Sequence, residues 1–510
     1  MTASLFSLFE ERVRGCEAGV ALDTPSGSWS YAELFAFAAQ FSALMTAHGA
    51  ARGDRVLVQA DKSPAVVALY LGCLRAGLVF VPLNTAYTPA EVGFFVSDAA
   101  PRIVVGRPDD VAALAPAARA AGCARVFSLG AAPGRGREDD AWSEALAMEP
   151  AGTPVELAAE DLGAICYTSG TTGRSKGAML SHANLASNAL ALHRIWGFRP
   201  GDVLLHALPI FHVHGLFVAL HTALLNASTM IFLPRFDAAE VRVRLPDASV
   251  LMGVPTFYSR LLDEPGFGAE DCASVRLFVS GSAPLTEQAS DAWFERTGRR
   301  VLERYGMTEA GMITSNPLEG DRIAGTVGFA LPDVEVRIAD ERGAELARGD
   351  VGVVEVRGPN VFAGYWRAPE FTATEFRADG FFITGDVGVM DEEGRVSIVG
   401  RAKDLIISGG LNIYPKEIEQ VLDVIPGVRE SAVVGVPHPD LGEGGVAVLV
   451  AENAPVATEA LSAALAAQLA RFKHPRRFEW VDALPRNAMG KVQKAALRER
   501  FADAYLAERD

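Results

Sequence analysis

The chain contains only five cysteines among its 510 residues, at positions 16, 73, 123, 166 and 272. Their number is odd and no CxxC pair occurs, which excludes a disulfide framework and a structural zinc site and points to a reducing compartment. Positive charge is also in deficit, with 47 Lys and Arg against 63 Asp and Glu and a net charge of −16. Charge of that sign repels phosphate backbones and anionic headgroups, so neither nucleic acid nor a membrane is expected as a main partner. No apolar run is clean enough to span a bilayer: the most hydrophobic long stretch, Val66 to Leu83, is interrupted by Arg75 and two glycines. The first residues lack the basic segment of a secretory or transit leader and carry Glu10 and Glu11 instead, which predicts a cytoplasmic protein. Fixed-period repeats are missing as well. What is present is a globular composition, 49% hydrophobic and 22% charged. At about 150 residues per domain, the length predicts two to four packed units.

Residues 29 to 105 alternate helix-like and strand-like segments: an Ala/Phe-rich helix from Tyr31, the strand Arg55-Val-Leu-Val-Gln, a helix from Ser63, then Leu78-Val-Phe-Val-Pro-Leu. Such alternation favours a mostly parallel sheet covered by helices. Residues 130 to 155, rich in Gly, Pro and charge, read as a surface connection. Strand-like runs resume at Gly163, Met230, Val250 and Leu277, and from about Gly325 short strands with turns suggest an antiparallel unit. The charged junction Gly400-Arg401-Ala402-Lys403-Asp404 then separates these from a stretch of mixed helices and strands. The fold class expected is α/β. A large N-terminal domain, 1–400, combines doubly wound sheets with a β-barrel-like unit; 401–404 form a hinge and 405–510 a small, mobile α+β domain.

The segment with the clearest chemistry is Tyr167-Thr-Ser-Gly-Thr-Thr-Gly-Arg-Ser-Lys-Gly177, which follows an apolar strand. Glycines let backbone N–H groups approach an anion, hydroxyls add donors, and Lys176 with Arg174 offsets charge, so the loop suits phosphate. It is not a Walker loop, because Lys176 lies between Ser175 and Gly177 rather than in Gly-Lys-Ser/Thr. Three further segments join Gly to polar groups near strand ends: Ser280-Gly-Ser-Ala-Pro-Leu285, Tyr305-Gly-Met-Thr-Glu309 and Phe382-Ile-Thr-Gly-Asp386. In open α/β sheets such loops converge beyond the carboxyl ends of the strands.

In this order, and with Gly400-Arg401-Ala-Lys403-Asp404, Ser408-Gly-Gly-Leu-Asn-Ile-Tyr-Pro-Lys-Glu-Ile-Glu419 and Pro485-Arg-Asn-Ala-Met-Gly-Lys491, these segments resemble the core motifs of the acyl-adenylate-forming superfamily. That superfamily includes acyl-CoA synthetases, peptide-synthetase adenylation domains and beetle luciferases, and the resemblance spans residues 29 to about 500. His206-Ala-Leu-Pro-Ile-Phe-His-Val-His-Gly-Leu216 and Pro485 to Lys494 resemble the malonyl-CoA synthetases within it. The resemblance implies two steps. A carboxylate and MgATP give acyl-AMP and pyrophosphate, and CoA then displaces AMP as a thioester.

Carried onto this sequence, the resemblance assigns Thr168, Ser169, Gly170, Thr171, Thr172, Gly173 and Lys176 to the β- and γ-phosphates. Thr308 falls to the α-phosphate and Glu309 to Mg²⁺. Ser282, Ala283, Pro284, Glu303, Tyr305 and Gly306 line the nucleotide and acyl pockets, while Asp386 and Arg401 meet the ribose. Lys491 bridges carboxylate and α-phosphate, and His212 joins it as a catalytic candidate. Lys403 is the hinge about which the small domain rotates, bringing Ser408, Gly409, Gly410 and Leu411 to CoA. A lysine acetyltransferase and deacetylase acting on Lys491 are implied partners.

The acid itself is read from the residues. A dicarboxylate must bury a second negative charge, which demands cations or several donors. The region between the phosphate and adenine loops supplies His206, His212, His214, Arg235 and Arg260. Arg235 and Arg260 are expected to hold the distal carboxylate of malonate or methylmalonate, with Ser282 and His206 nearby. The alternatives are a CoA ligase for another short or medium-chain acid, or a freestanding enzyme that loads a carrier protein.

Overall fold

The run Val66 to Leu83, too interrupted for a membrane, has a different use. Pro64–Ala76 is a helix in which every residue is buried, capped by the Ser63 hydroxyl at its start and by Gly77, at φ +68°, at its end. It crosses the helix Tyr31–Ala47 so closely that a Cβ on Gly72 would stand 2.7 Å from the Ala38 carbonyl oxygen. The side chain of Tyr70 touches Phe80 on one side and Phe217 and His221 on the other. Each buried Leu or Val of such a helix contributes roughly 1.5–3 kcal/mol of apolar transfer. The structure, a computed structural model, describes residues 4–134, 137–168, 175–408, 411–439, 441–487 and 490–505.

Two large sheets flank this core. The six-stranded sheet contains the parallel strands Arg125–Ser128, Ile103–Gly106, Arg55–Gln59, Val79–Pro82 and Leu162–Thr168 in that order, closed at its edge by the antiparallel strand Lys176–Ser181. In the nine-stranded sheet, Thr229–Phe232, Val203–His206, Val250–Gly253, Leu277–Ser280 and Leu302–Met307 run parallel side by side. Their carboxyl ends carry the 206–214, 254–256, 281–285 and 308–309 segments to one rim. The β-rich unit expected after Gly325 is a four-stranded antiparallel sheet of Glu335–Ala339, Val351–Arg357, Phe382–Met390 and Val396–Arg401.

The last of these strands ends at Arg401, a single turn of 3-10 helix covers Ala402–Asp404, and a new sheet starts at Ile406. That sheet, built on the hairpin Val428–His438 and Gly442–Ala451, has its own apolar core on each face. Helices Pro415–Asp423 and Thr458–Gln468 cover one face and Lys494–Arg500 the other. Neither core includes a residue from before Ile406. Among the described residues, no helix is long and apolar enough to cross a membrane.

Candidate active site

Thr168 and Lys176, at the two described ends of the phosphate segment, pair across neighbouring antiparallel strands. Ser169, Gly170, Thr171, Thr172 and Gly173 lie outside the described residues. Beside this pair, Oε1 of the buried Glu309 accepts hydrogen bonds from Thr168 Oγ1 at 3.2 Å and from the Tyr365 hydroxyl at 3.0 Å. Lys176 Nζ sits 3.1 Å from the Phe371 ring centroid and has no hydrogen-bond acceptor among the described residues. Burial lowers its pKa, against the pull of Glu375 and Glu309. A desolvated ammonium near hydroxyls and the Glu309 and Glu375 carboxylates is a ready seat for a metal-bound polyphosphate. No group of three or more metal-ligating side chains exists among the described residues. Mg²⁺ carried by a nucleotide needs only one or two carboxylates, and the Glu309 environment fits that demand.

At the other end, Asp386 and Arg401 face each other across adjacent strands, with Oδ1 to Nε at 2.5 Å. Tyr305 donates to Asp386 Oδ2 at 2.5 Å. Asp386 is thus fixed with its remaining lone pairs available to hydroxyl donors. Lys491 enters this cleft from the C-terminal domain on a tight loop in which its N–H donates to Asn487 Oδ1 at 3.0 Å and its carbonyl accepts from Asn487 N–H at 2.9 Å. Its side chain retains solvent access. Nevertheless, the walls of the cleft strip hydration from the ammonium, and Arg401 and Lys403 add repulsion, so its pKa is lowered; Asp386 and Asp404 act oppositely. Thr308 lines a small cavity together with Asn188 and Asn360.

A third cluster lies on the rim of the nine-stranded sheet. His214 opens a single turn of π-helix, His214–Ala219, and its Nδ1 is 3.2 Å from Ser282 Oγ. Ser282 holds a positive φ of 71°, a conformation that a non-glycine residue adopts at a cost of about 1–3 kcal/mol and that recurs at binding sites. Beneath it lies Arg304, only 3% exposed, so close that a Cβ on Gly281 would fall 2.4 Å from its guanidinium carbon. Two of its nitrogens, Nε and Nη2, have no hydrogen-bond partner among the described residues, and neither does His214 Nε2. Burial pushes the Arg304 pKa down to about 9, so it stays cationic at neutral pH. Burial and the charges of Arg304 and Lys491 hold His212 neutral, with a pKa of about 4.

The expected acid-site residues are distributed differently. His206 is consumed by structure: Lys62 Nζ lies 2.9 Å from its Nδ1, and its Nε2 is 2.9 Å from the Gly215 carbonyl oxygen. Arg235 is exposed in the loop after Thr229–Phe232. Arg260 is exposed on the helix Pro255–Leu262, beside a shallow depression lined by Asp237, Asp263 and Glu264. The structure does not bring Arg260 to the His214 cluster; it places Arg304 there, a residue the sequence reading passed over. Glu303 is buried under the 281–285 loop, where Leu285 N–H donates to it at 3.4 Å and burial raises its pKa to about 8. Ala283 is half-buried and Pro284 exposed, while Gly306 packs against the Gly311 carbonyl. Lys403 is exposed within the junction turn, and its carbonyl accepts from Arg498. Ser408 and Leu411 end and begin two strands of a hairpin whose tip, Gly409 and Gly410, lies outside the described residues.

Three polar clusters around one cleft, with a lysine supplied by a second domain, match a known pattern. The family model described as AMP-binding enzyme matches residues 9–366, and that described as AMP-binding enzyme C-terminal domain matches 417–491. The chain belongs to the AMP-binding enzyme family. This AMP-binding enzyme is similar to ATP-bound MatB from Rhodopseudomonas palustris, with 51% identity, 99% of this chain and 100% of that one covered, and a TM-score of 0.95. Against the apo form of the same relative, at the same identity and coverage, the TM-score is 0.84. The fold of this AMP-binding enzyme is thus more similar to the ATP-bound structure of that relative than to its apo structure. It is 34% identical to the malonate–CoA ligase of Arabidopsis thaliana over 96% of this chain and 87% of the relative. Feruloyl-CoA synthase of an Amycolatopsis species is 36% identical over 92% and 94%.

Proposed function

We propose that this AMP-binding enzyme joins malonate to coenzyme A with ATP, through malonyl-AMP, releasing AMP and pyrophosphate. Methylmalonate is tolerated less well. The observation that carries the choice of acid is Arg304: a buried guanidinium with two nitrogens unpartnered and no carboxylate paired to it among the described residues. Such a cation is costly unless a ligand pairs with it. A distal carboxylate beside Arg304, His214 and Ser282 would complete it, whereas a purely apolar acyl chain would leave it stranded. The malonate–CoA ligase among the relatives supports the same reading.

In adenylation the attacking carboxylate is a weak nucleophile, so rate comes from alignment and charge neutralisation. Thr168 and Lys176 hold the terminal phosphates. Glu309 would hold Mg²⁺, which supplies further neutralising charge. Asp386, fixed by Arg401 and Tyr305, accepts from the ribose hydroxyls. Lys491 brings its ammonium to the oxygens where charge builds up on the α-phosphate. The thiol step needs the small domain to turn about Lys403 and present Ser408 to Leu411, because Lys491 occupies the approach. The solvent access of Lys491 also suits it to Nε-acetylation by a lysine acetyltransferase, reversed by a deacetylase, and acetylation would remove the charge that adenylation uses. The five cysteines are all free thiols, in keeping with a reducing, cytoplasmic setting.

The test is an acid panel with ATP, Mg²⁺ and CoA in which AMP and thioester are both recorded. Malonate is expected to give the highest kcat/KM. A much higher value for acetate, a medium-chain fatty acid or ferulate would discard the dicarboxylate, and thioester formation on a carrier protein but not on CoA would discard the CoA-ligase reading.

A further inference from the structure

The catalytic lysine depends on a loop that must be held at a fixed place relative to the other domain. The C-terminal domain meets the large domain at both ends of the helix Pro255–Leu262. At the first turn, Gly490 lies against Thr256: a Cβ at position 490 would be 2.9 Å from Thr256 Oγ1, and the backbone there has a φ of +71°. At the other end, the capping residue Asp263 accepts from Arg429 Nη2 at 3.0 Å. Arg429 stands at the start of Val428–His438, where the register shifts between Val428 and Glu430. The next residue, Glu430, pairs with Arg486, whose Nη1 donates to the Gly490 carbonyl at 2.5 Å. Consecutive residues of one strand thus grip opposite things, one the large domain and the other the loop that carries Lys491.

We infer that Arg429 and Glu430 are positioning residues for the adenylation step, a rigid coupling between docking of the C-terminal domain on Pro255–Leu262 and placement of the Lys491 ammonium in the cleft. Neither touches substrate. The coupling works only while the domain is docked in the present arrangement, so the thiol step does not use it. This inference rests on the adenylation reading above.

The experiment compares pyrophosphate exchange, which reports adenylation, with conversion of preformed acyl-AMP and CoA to thioester, using the acid that the wild type handles best. Arg429→Ala should slow exchange about twofold to fivefold, the range of an exposed ion pair. Glu430→Gln should slow it by a similar twofold to fivefold, because the exposed Arg486 that donates to the Gly490 carbonyl loses its counter-charge. Both variants should keep the thiol step within about twofold of wild type. Exchanging the charges in Asp263→Arg with Arg429→Asp should restore most of the loss that Arg429→Asp causes alone. The advantage of wild type over Arg429→Ala should shrink as KCl rises from about 0.05 M to about 1 M, as screening of an exposed pair requires. Equal losses in both half-reactions, unchanged exchange in both single variants, or no recovery on charge exchange would overturn the inference. Exchange by the wild type reports on the adenylation reading itself, and the ratio of variant to wild type reports on the positioning role.

Discussion

Replacing Arg304 by Met should push stability and activity in opposite directions. Arg304 is 3% exposed, and its Nε and Nη2 are unpartnered among the described residues, so without an acid beside it the guanidinium is a buried charge lacking compensation. Exchanging such a charge for an apolar side chain of similar length is neutral or stabilising, by up to about 1–4 kcal/mol. The melting temperature of Arg304→Met should therefore hold or rise. Malonate, by contrast, would have to bury its distal carboxylate against a thioether. Losing one partner of a buried charge pair costs about 2–5 kcal/mol, roughly 30-fold to several thousand-fold in kcat/KM. Propionate has no second carboxylate and should lose little or gain. The assay is pyrophosphate exchange with malonate and with propionate, beside thermal melting of the same preparations. Equal losses for both acids would refute the pairing, as would retention of malonate activity. A marked fall in melting temperature would instead make Arg304 a brace under Gly281.

Two other outcomes are expected. Lys491→Ala should cut acyl-AMP formation by about 10²–10³ while converting preformed malonyl-AMP and CoA at close to the wild-type rate; pre-steady-state measurement of each half-reaction checks this, and a comparable loss in both would make the lysine structural. Acid should destabilise the fold between about pH 6.5 and 4, because burial holds His212 near 4, His221 near 3 and His206 and His214 well below 6.5. The unfolded chain then binds more protons than the native one, so stability falls with pH. Glu303, raised to about 8, works in the opposite sense but is outnumbered. Melting temperatures from pH 7 to 4 test this, and His221→Phe should flatten the decline; a flat or rising wild-type curve would refute it.

Much of this architecture is legible in the residues. The switch from strand to helix spacing at Ser63, the hydroxyl-rich segment after Tyr167 and the charged junction all reflect local chemistry. The junction falls where a strand ends at Arg401 and a 3-10 turn begins. The proposed acid pocket is less legible because its members meet across long separations. His206 gathers attention as one of three clustered histidines, yet its partner Lys62 is 144 residues away. Arg260 could have been set aside from periodicity: Phe257, Tyr258 and Leu261 are buried, which turns position 260 outward. Arg304 was hidden inside Leu302-Glu-Arg-Tyr-Gly-Met307, where two adjacent charges suggest an exposed segment. Their burial as the strand Leu302–Met307 puts the charges on opposite faces, Glu303 under one loop and Arg304 under another.

The buried helix Pro64–Ala76 has a bearing on how such an enzyme can change its diet. Through Tyr70 it leans on Phe80 in the sheet that ends at the phosphate segment, and on Phe217 and His221 in the segment that opens with His214. On the proposed reading, the spacing between the nucleotide's phosphates and the acid's far end would be set by this close-packed interior. A change of even one methylene in that helix would disturb both substrates at once. On the proposed reading, acceptance of a new acid would come instead from Ser282, Arg304 and the histidine turn at the end of the nine-stranded sheet, with Gly281 held small by the Arg304 guanidinium against it. Inheritance can thus vary the menu while the distance across which ATP is cleaved stays constant.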